Sequence, residues 1–121
     1  MFLSFAYALA ASTSQSAVVT PPKDCEMYVR PVDENGRVRE SPFITPRDIS
    51  SIEFDKTDPI TGFRMWRVVL TKEGASRNAS YTGTHVREKI AIFCGATEIS
   101  RPMIAAPSSD TFVVIIPDKV T

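Results

Sequence analysis

Apolar and polar positions alternate in short runs that read as strands, interrupted by one segment of helical period. Over residues 25–32, Met27, Val29 and Pro31 alternate with Glu26, Tyr28 and Arg30, the pattern of a half-buried strand. Asp33-Glu34-Asn35-Gly36-Arg37 reads as a turn, because Asn-Gly readily takes positive φ. Thr45 is placed as an N-cap and Pro46 as the first residue of one short helical turn. A strand over residues 51–55 and a polar turn over 56–62 follow.

Residues 63–71 form the strongest strand of the pattern. Met65, Arg67 and Val69 share one face, and Trp66, Val68 and Leu70 the other. Thr71 then caps a helix, with Glu73 in the first turn, where its charge favours the helix dipole. Ala75, Ala79, Thr82 and Val86 recur at spacings of four, three and four, predicting the stripe that packs on the strands. Gly83 or the residues near His85 end the helix. Residues 90–94 and 99–104 read as strands around a turn at 95–98, and 111–116 as a last, very apolar strand stopped by Pro117. The sum is an α+β domain, one main helix packed on a largely antiparallel sheet.

The first residues change the picture from fold to compartment. Met1 to Ala11 is apolar and uncharged, and Ala8-Leu9-Ala10 fits a signal cleavage site, although no Lys or Arg precedes Lys23. The expected organisation is a signal peptide over 1–17, a linker over 18–24, the domain over 25–117 and a tail over 118–121. That places the mature chain in the periplasm or outside the cell, with an N-terminal anchor in the inner membrane as the alternative. No segment reaches the roughly 20 apolar residues that a spanning helix needs. Cys25 and Cys94 lack C-x-x-C partners, which excludes a zinc ribbon or a thioredoxin-type site. In an oxidising compartment they are candidates for one disulfide, worth roughly 4 kcal/mol in the chain-entropy model; two separate buried thiols is the other reading.

Charge and motif content mostly exclude. The 14 basic and 14 acidic residues are interspersed, which argues against a nucleic-acid or anionic-membrane surface. The lone His85 with Cys94 is a weak candidate for a base and a thiol nucleophile, outweighed by the ordinary role of a histidine at a helix end. No G-x-S-x-G elbow, phosphate loop, carboxylate pair or metal-ligand spacing is present, so no catalytic residue, cofactor or metal is assigned. Asn78-Ala79-Ser80 is a formal glycosylation sequon inside the expected helix. What remains is a surface: Phe63, Arg64, Trp66 and Arg67 combine aromatic rings and arginines as binding hot spots do. Trp66 has a competing place in the core, and an exposed sheet edge is a further route to a polypeptide partner.

Several blocks in the second half occur in a familiar order. Thr71-Lys72-Glu73-Gly74-Ala75 follows a hydrophobic strand, and Thr82 stands in the helix. Ile90-Ala91-Ile92-Phe93-Cys94-Gly95 and Ser100-Arg101-Pro102-Met103-Ile104 come next, and Phe43-Ile44-Thr45-Pro46-Arg47-Asp48-Ile49 lies upstream. In this order and spacing the chain resembles the head subdomain of the first periplasmic domain of SecD, a subunit of the bacterial protein-export machinery. It departs from that pattern at Asn78, Arg87, Cys94 and Ser108-Ser109, and it lacks SecD's membrane helices. The resemblance implies a SecD-head-like fold and a non-enzymatic periplasmic domain that contacts proteins or polypeptides. The alternative is an inhibitor or immunity protein that blocks a periplasmic enzyme with the turns at 56–63 and 105–110.

Overall fold

The computed structural model describes residues 26–116, together with the backbone of a short strand pair, β1 (Ala17–Val18) with β8 (Lys119–Val120). The expected signal peptide, linker and tail, and Cys25, otherwise lie outside the described residues. Between them run β2 (Met27–Pro31), a 3-10 turn (Pro46–Asp48), β3 (Ile49–Thr57), β4 (Arg64–Leu70), α1 (Lys72–Thr84), β5 (Ile90–Cys94), β6 (Thr97–Ser100) and β7 (Thr111–Ile116). The fold is α+β, with one helix, but the strands form two antiparallel sheets where one was expected. Their orders are β2-β5-β6 and β3-β4-β7.

The inward residues of both sheets make one core. Met27, Val29, Ile44, Val68, Ile92 and Val114 are fully buried, with Trp66, Leu70 and Ile116 packed against them. Alternation along β2 and β4 therefore aims the side chains as the sequence predicts. The expected strand over 99–104 is shorter than predicted: β6 ends at Ser100, Pro102 interrupts it, and pairing resumes only as a bridge between Met103 and Lys89. Gly95 takes φ +62° in a two-residue turn, so β6 starts at Thr97 rather than after a four-residue turn.

The helix is fixed at its N-terminus by a close approach. The Thr71 hydroxyl accepts the Gly74 amide at 3.1 Å, as expected of an N-cap. A Cβ on Gly74 would lie 2.4 Å from the Asp48 carbonyl oxygen, so only glycine lets the helix sit on the 3-10 turn. The Thr71 amide donates to that same carbonyl at 2.8 Å. The Asp48 side chain is buried, accepts the Thr45 amide at 2.9 Å and pairs with Arg77 on α1. Burial alone would raise its carboxyl, but the Arg77 and Thr45 hydrogen bonds and the Arg77 charge together hold it below the usual carboxylate value.

The helix stripe corrects the periodicity in one respect. Gly74, Ala75, Asn78 and Thr82 are buried, whereas Ala79 is exposed and Val86 is partly so. A buried amide is tolerable because it is satisfied: Asn78 Nδ2 donates to Ser108 Oγ at 2.9 Å and to the Ser109 carbonyl at 3.0 Å. Two departures from the SecD-head pattern are thus partners in space, and the sequon nitrogen is committed inside the fold. After α1 the chain reverses at Arg87, a non-glycine residue held at φ +77°, a conformation that costs roughly 1–3 kcal/mol. Its amide donates to the Ile104 carbonyl at 2.7 Å, which pins the reversal to the far strand connection.

Candidate functional site

The candidate surface is the hairpin made by β3 and β4. Exposure rises along it toward the turn: Val68 is fully buried, Trp66 is 7% exposed, and Phe54, directly opposite Trp66, is 53% exposed. The two rings meet edge to face with centroids 5.6 Å apart, so buried Trp66 forms the seat on which Phe54 rests. A register shift between Phe54 and Lys56 marks a bulge at Asp55. Asp55 reaches Arg67 on the outer face at 2.6 Å, an exposed pair worth about 0–1 kcal/mol.

The connecting turn is closed upon itself. The Asp58 amide donates to the Phe63 carbonyl at 2.8 Å, and the Gly62 amide returns to the Asp58 carbonyl at 2.8 Å with Gly62 at φ +76°. The Asp58 carboxylate accepts the Thr61 hydroxyl at 2.6 Å and the Thr61 amide at 3.3 Å, and the Phe63 amide donates to Thr61 Oγ1 at 3.1 Å. These bonds, the Thr61 hydroxyl first, hold the Asp58 carboxyl below its ordinary value. At the tip stands Ile60, 91% exposed, with Phe63 38% exposed at its base.

Phe54, Ile60 and Phe63 are three of the seven large exposed hydrophobic side chains among the described residues, within ten positions of one another. Covering Ile60 fully on a partner is worth roughly 1.5–3 kcal/mol, and covering the remaining exposed parts of Phe54 and Phe63 adds less for each. The chain has already fixed the backbone that carries them, which lowers the ordering cost of association. Of the predicted surface residues, Phe63 directly precedes β4, Arg64 begins it, Arg67 faces outward, and Trp66 is core rather than surface. Phe54 and Ile60 escape a sequence reading because they sit between charged and turn-forming residues. The only signal is an aliphatic residue after Pro59, in a turn otherwise built from polar residues, proline and glycine.

The other sequence candidates lie elsewhere. Cys94 ends β5 opposite Met27 in the first sheet. His85 caps the far end of α1, its ring stacked on Tyr81 at 3.8 Å and Tyr81 stacked on Phe43 at 4.0 Å. His85 Nδ1 lies 2.7 Å from the Tyr81 carbonyl, an acceptor, so in the neutral ring that nitrogen carries the proton. His85 lines a recess of about 890 Å³ with Arg39, Arg87 and Glu88, and Cys94 is not among the residues lining it. No group of three or more His, Cys, Asp or Glu side chains positioned to hold a metal occurs among the described residues. No helix among them is long and apolar enough to cross a membrane.

Comparison with known proteins gives a likeness of fold. No family model and no curated protein matches the sequence. Among solved structures, the chain is similar to SecDF, described as a membrane component that enhances protein export, with a TM-score of 0.58 and 16% identity. The match covers 75% of this chain and 55% of that one, so the likeness spans little more than half of the SecDF chain. At this identity it shows the α+β fold of a SecD-like neighbour.

Proposed function

We propose that this chain is a non-enzymatic protein-binding domain of the SecD-head type, working in the periplasm or outside the cell, with the β3–β4 hairpin as its contact surface. One observation carries the reading: Phe54, Ile60 and Phe63 are all exposed on one hairpin whose turn is locked by its own hydrogen bonds. The SecDF likeness supports a role among exported polypeptides, and the apolar start of the sequence supports export of the chain itself. A Cys25–Cys94 bridge belongs to the same reading. It is supported by the Gly95 amide, which donates to the Glu26 carbonyl at 2.7 Å and draws the chain beside Cys25 toward the end of β5. Intact mass with and without reductant tests it: a deficit of about two daltons, restored by reductant, is expected.

The single aliphatic side chain exposed at the tip also favours the second reading, an inhibitor or immunity protein whose Ile60 enters an apolar pocket of one folded enzyme. Binding assays against a permanently unfolded polypeptide and against folded periplasmic hydrolases separate the two. With the first reading, the unfolded polypeptide binds, and Ile60→Asp and Phe63→Ser each weaken it tenfold or more. Binding only to one folded hydrolase, lost in Ile60→Asp, selects the inhibitor. Binding of both kinds that ignores these substitutions removes the hairpin from either account.

A further inference from the structure

A second site lies away from the hairpin, where the two sheets part beneath α1. A cavity of about 370 Å³ is lined by Val29, Ile44 and Ile92 from the first-sheet side and by Phe112 and Val113 from β7, with residues 102–108 closing it. No ionisable side chain lines it. The polar lining residues are Asn78, Thr82 and Ser108, and these bond to one another. Asn78 Nδ2 spends its two hydrogens on Ser108 Oγ and the Ser109 carbonyl. The Thr82 hydroxyl sits 2.7 Å from the Asn78 carbonyl and 3.1 Å from the Ser108 carbonyl, and accepts the Ser108 amide at 3.0 Å.

From this we infer that the cavity is a binding site for an uncharged aliphatic chain, and that the Asn78–Thr82–Ser108 clasp holds residues 105–109 over it as a strap. The space opens to solvent past Met103 and Val113, so it is a pocket rather than an interior void, and covering its apolar walls is favourable. An apolar cavity of about 150 Å³ admits benzene. One of about 370 Å³ falls within the range of small-ligand pockets and has room for a longer chain. The lining decides the chemistry. With no cation to meet a carboxylate, the occupant is uncharged, and the walls that touch it are mostly carbon and hydrogen. Partly exposed Met103 and Val113 are the apolar mouth. The strap is anchored by backbone bonds at its ends, Ile104 to Glu88 and Leu70 to Asp110, with the clasp between. Release of three side chains therefore opens the roof without unpairing a strand.

The inference is independent of the hairpin reading. Its test is a titration of the full chain, labelled at Ile and Val methyls, with 1-octanol and separately with octanoate at pH 8. Saturable shifts at Val29, Ile44, Ile92 and Val113 with octanol, and at least tenfold weaker binding of octanoate, are expected. Ala106→Trp, on the exposed strap, should reduce octanol affinity at least tenfold, with Met103→Trp at the mouth serving if that variant does not fold. Ile60→Asp should leave it unchanged. The inference is overturned by shifts that never saturate or that centre on Ile60, by octanoate binding as tightly as octanol, or by an apolar peptide occupying these methyls where octanol does not.

Discussion

The turn that ends at Asp48 and the turn that begins at Asp58 are built with the same device and put to opposite uses. Each carboxylate accepts backbone and hydroxyl hydrogens from a threonine three residues away, and each is held below its ordinary ionisation range. Asp48 does this buried, against a glycine that admits it and an arginine that neutralises it. Asp58 does it at the surface and presents Ile60 to solvent. A locked turn alone therefore says nothing about function. What separates the two is the cargo: the first holds a helix, and the second holds an unburied aliphatic side chain that the fold does not use.

Four substitutions bear on this contrast, Gly74→Ala with the largest effect on stability and Ile60→Asp with the smallest. Gly74→Ala drives a methyl into the Asp48 carbonyl, and a loss of about 3 kcal/mol or failure to fold is expected in denaturant unfolding. Asp48→Asn probes the charge. Because the native carboxyl is depressed, its contribution is fully present above the ordinary aspartate value near 4 and is lost as pH falls through the lower folded value. The wild-type melting temperature should thus fall more steeply than that of Asp48→Asn below about pH 4. Arg87→Gly relieves the left-handed strain and, after the entropy cost of glycine, should raise stability by roughly 0.5–1 kcal/mol. Ile60→Asp, at a fully solvated tip, should change stability by no more than about 0.5 kcal/mol while it weakens partner binding. That last pairing, neutral for folding and costly for binding, is the signature that the Asp48 region cannot give.

How far these regions were legible in the sequence follows from the range of the interactions involved. The Thr71 cap, the Thr45–Pro46 start of the short turn and the inward faces of β2 and β4 depend on neighbours within a few residues, and they stand as read. The split into two sheets depends on β2 pairing with β5 and β4 with β7, across loops that alternation does not report. Asn78 lies outside the expected helix stripe, and the partners that make its burial possible, Ser108 and Ser109, are 30 and 31 residues away. The hairpin was half legible. Phe63, Arg64 and Arg67 marked it, and Trp66 turned out to support Phe54 from inside. Ile60 was hidden because a turn dominated by polar residues, proline and glycine gives no reason to look for an anchor.

The central claim is that the hairpin tip touches another polypeptide. Photo-crosslinking from position 60 tests it most directly, with Ile60→p-benzoylphenylalanine compared with the same replacement at exposed Ser76 on α1, each mixed with a permanently unfolded polypeptide and mapped by mass spectrometry. The account predicts an adduct from position 60 and none from position 76. Equal adducts from both positions, or none from position 60 while the polypeptide still binds, would contradict it.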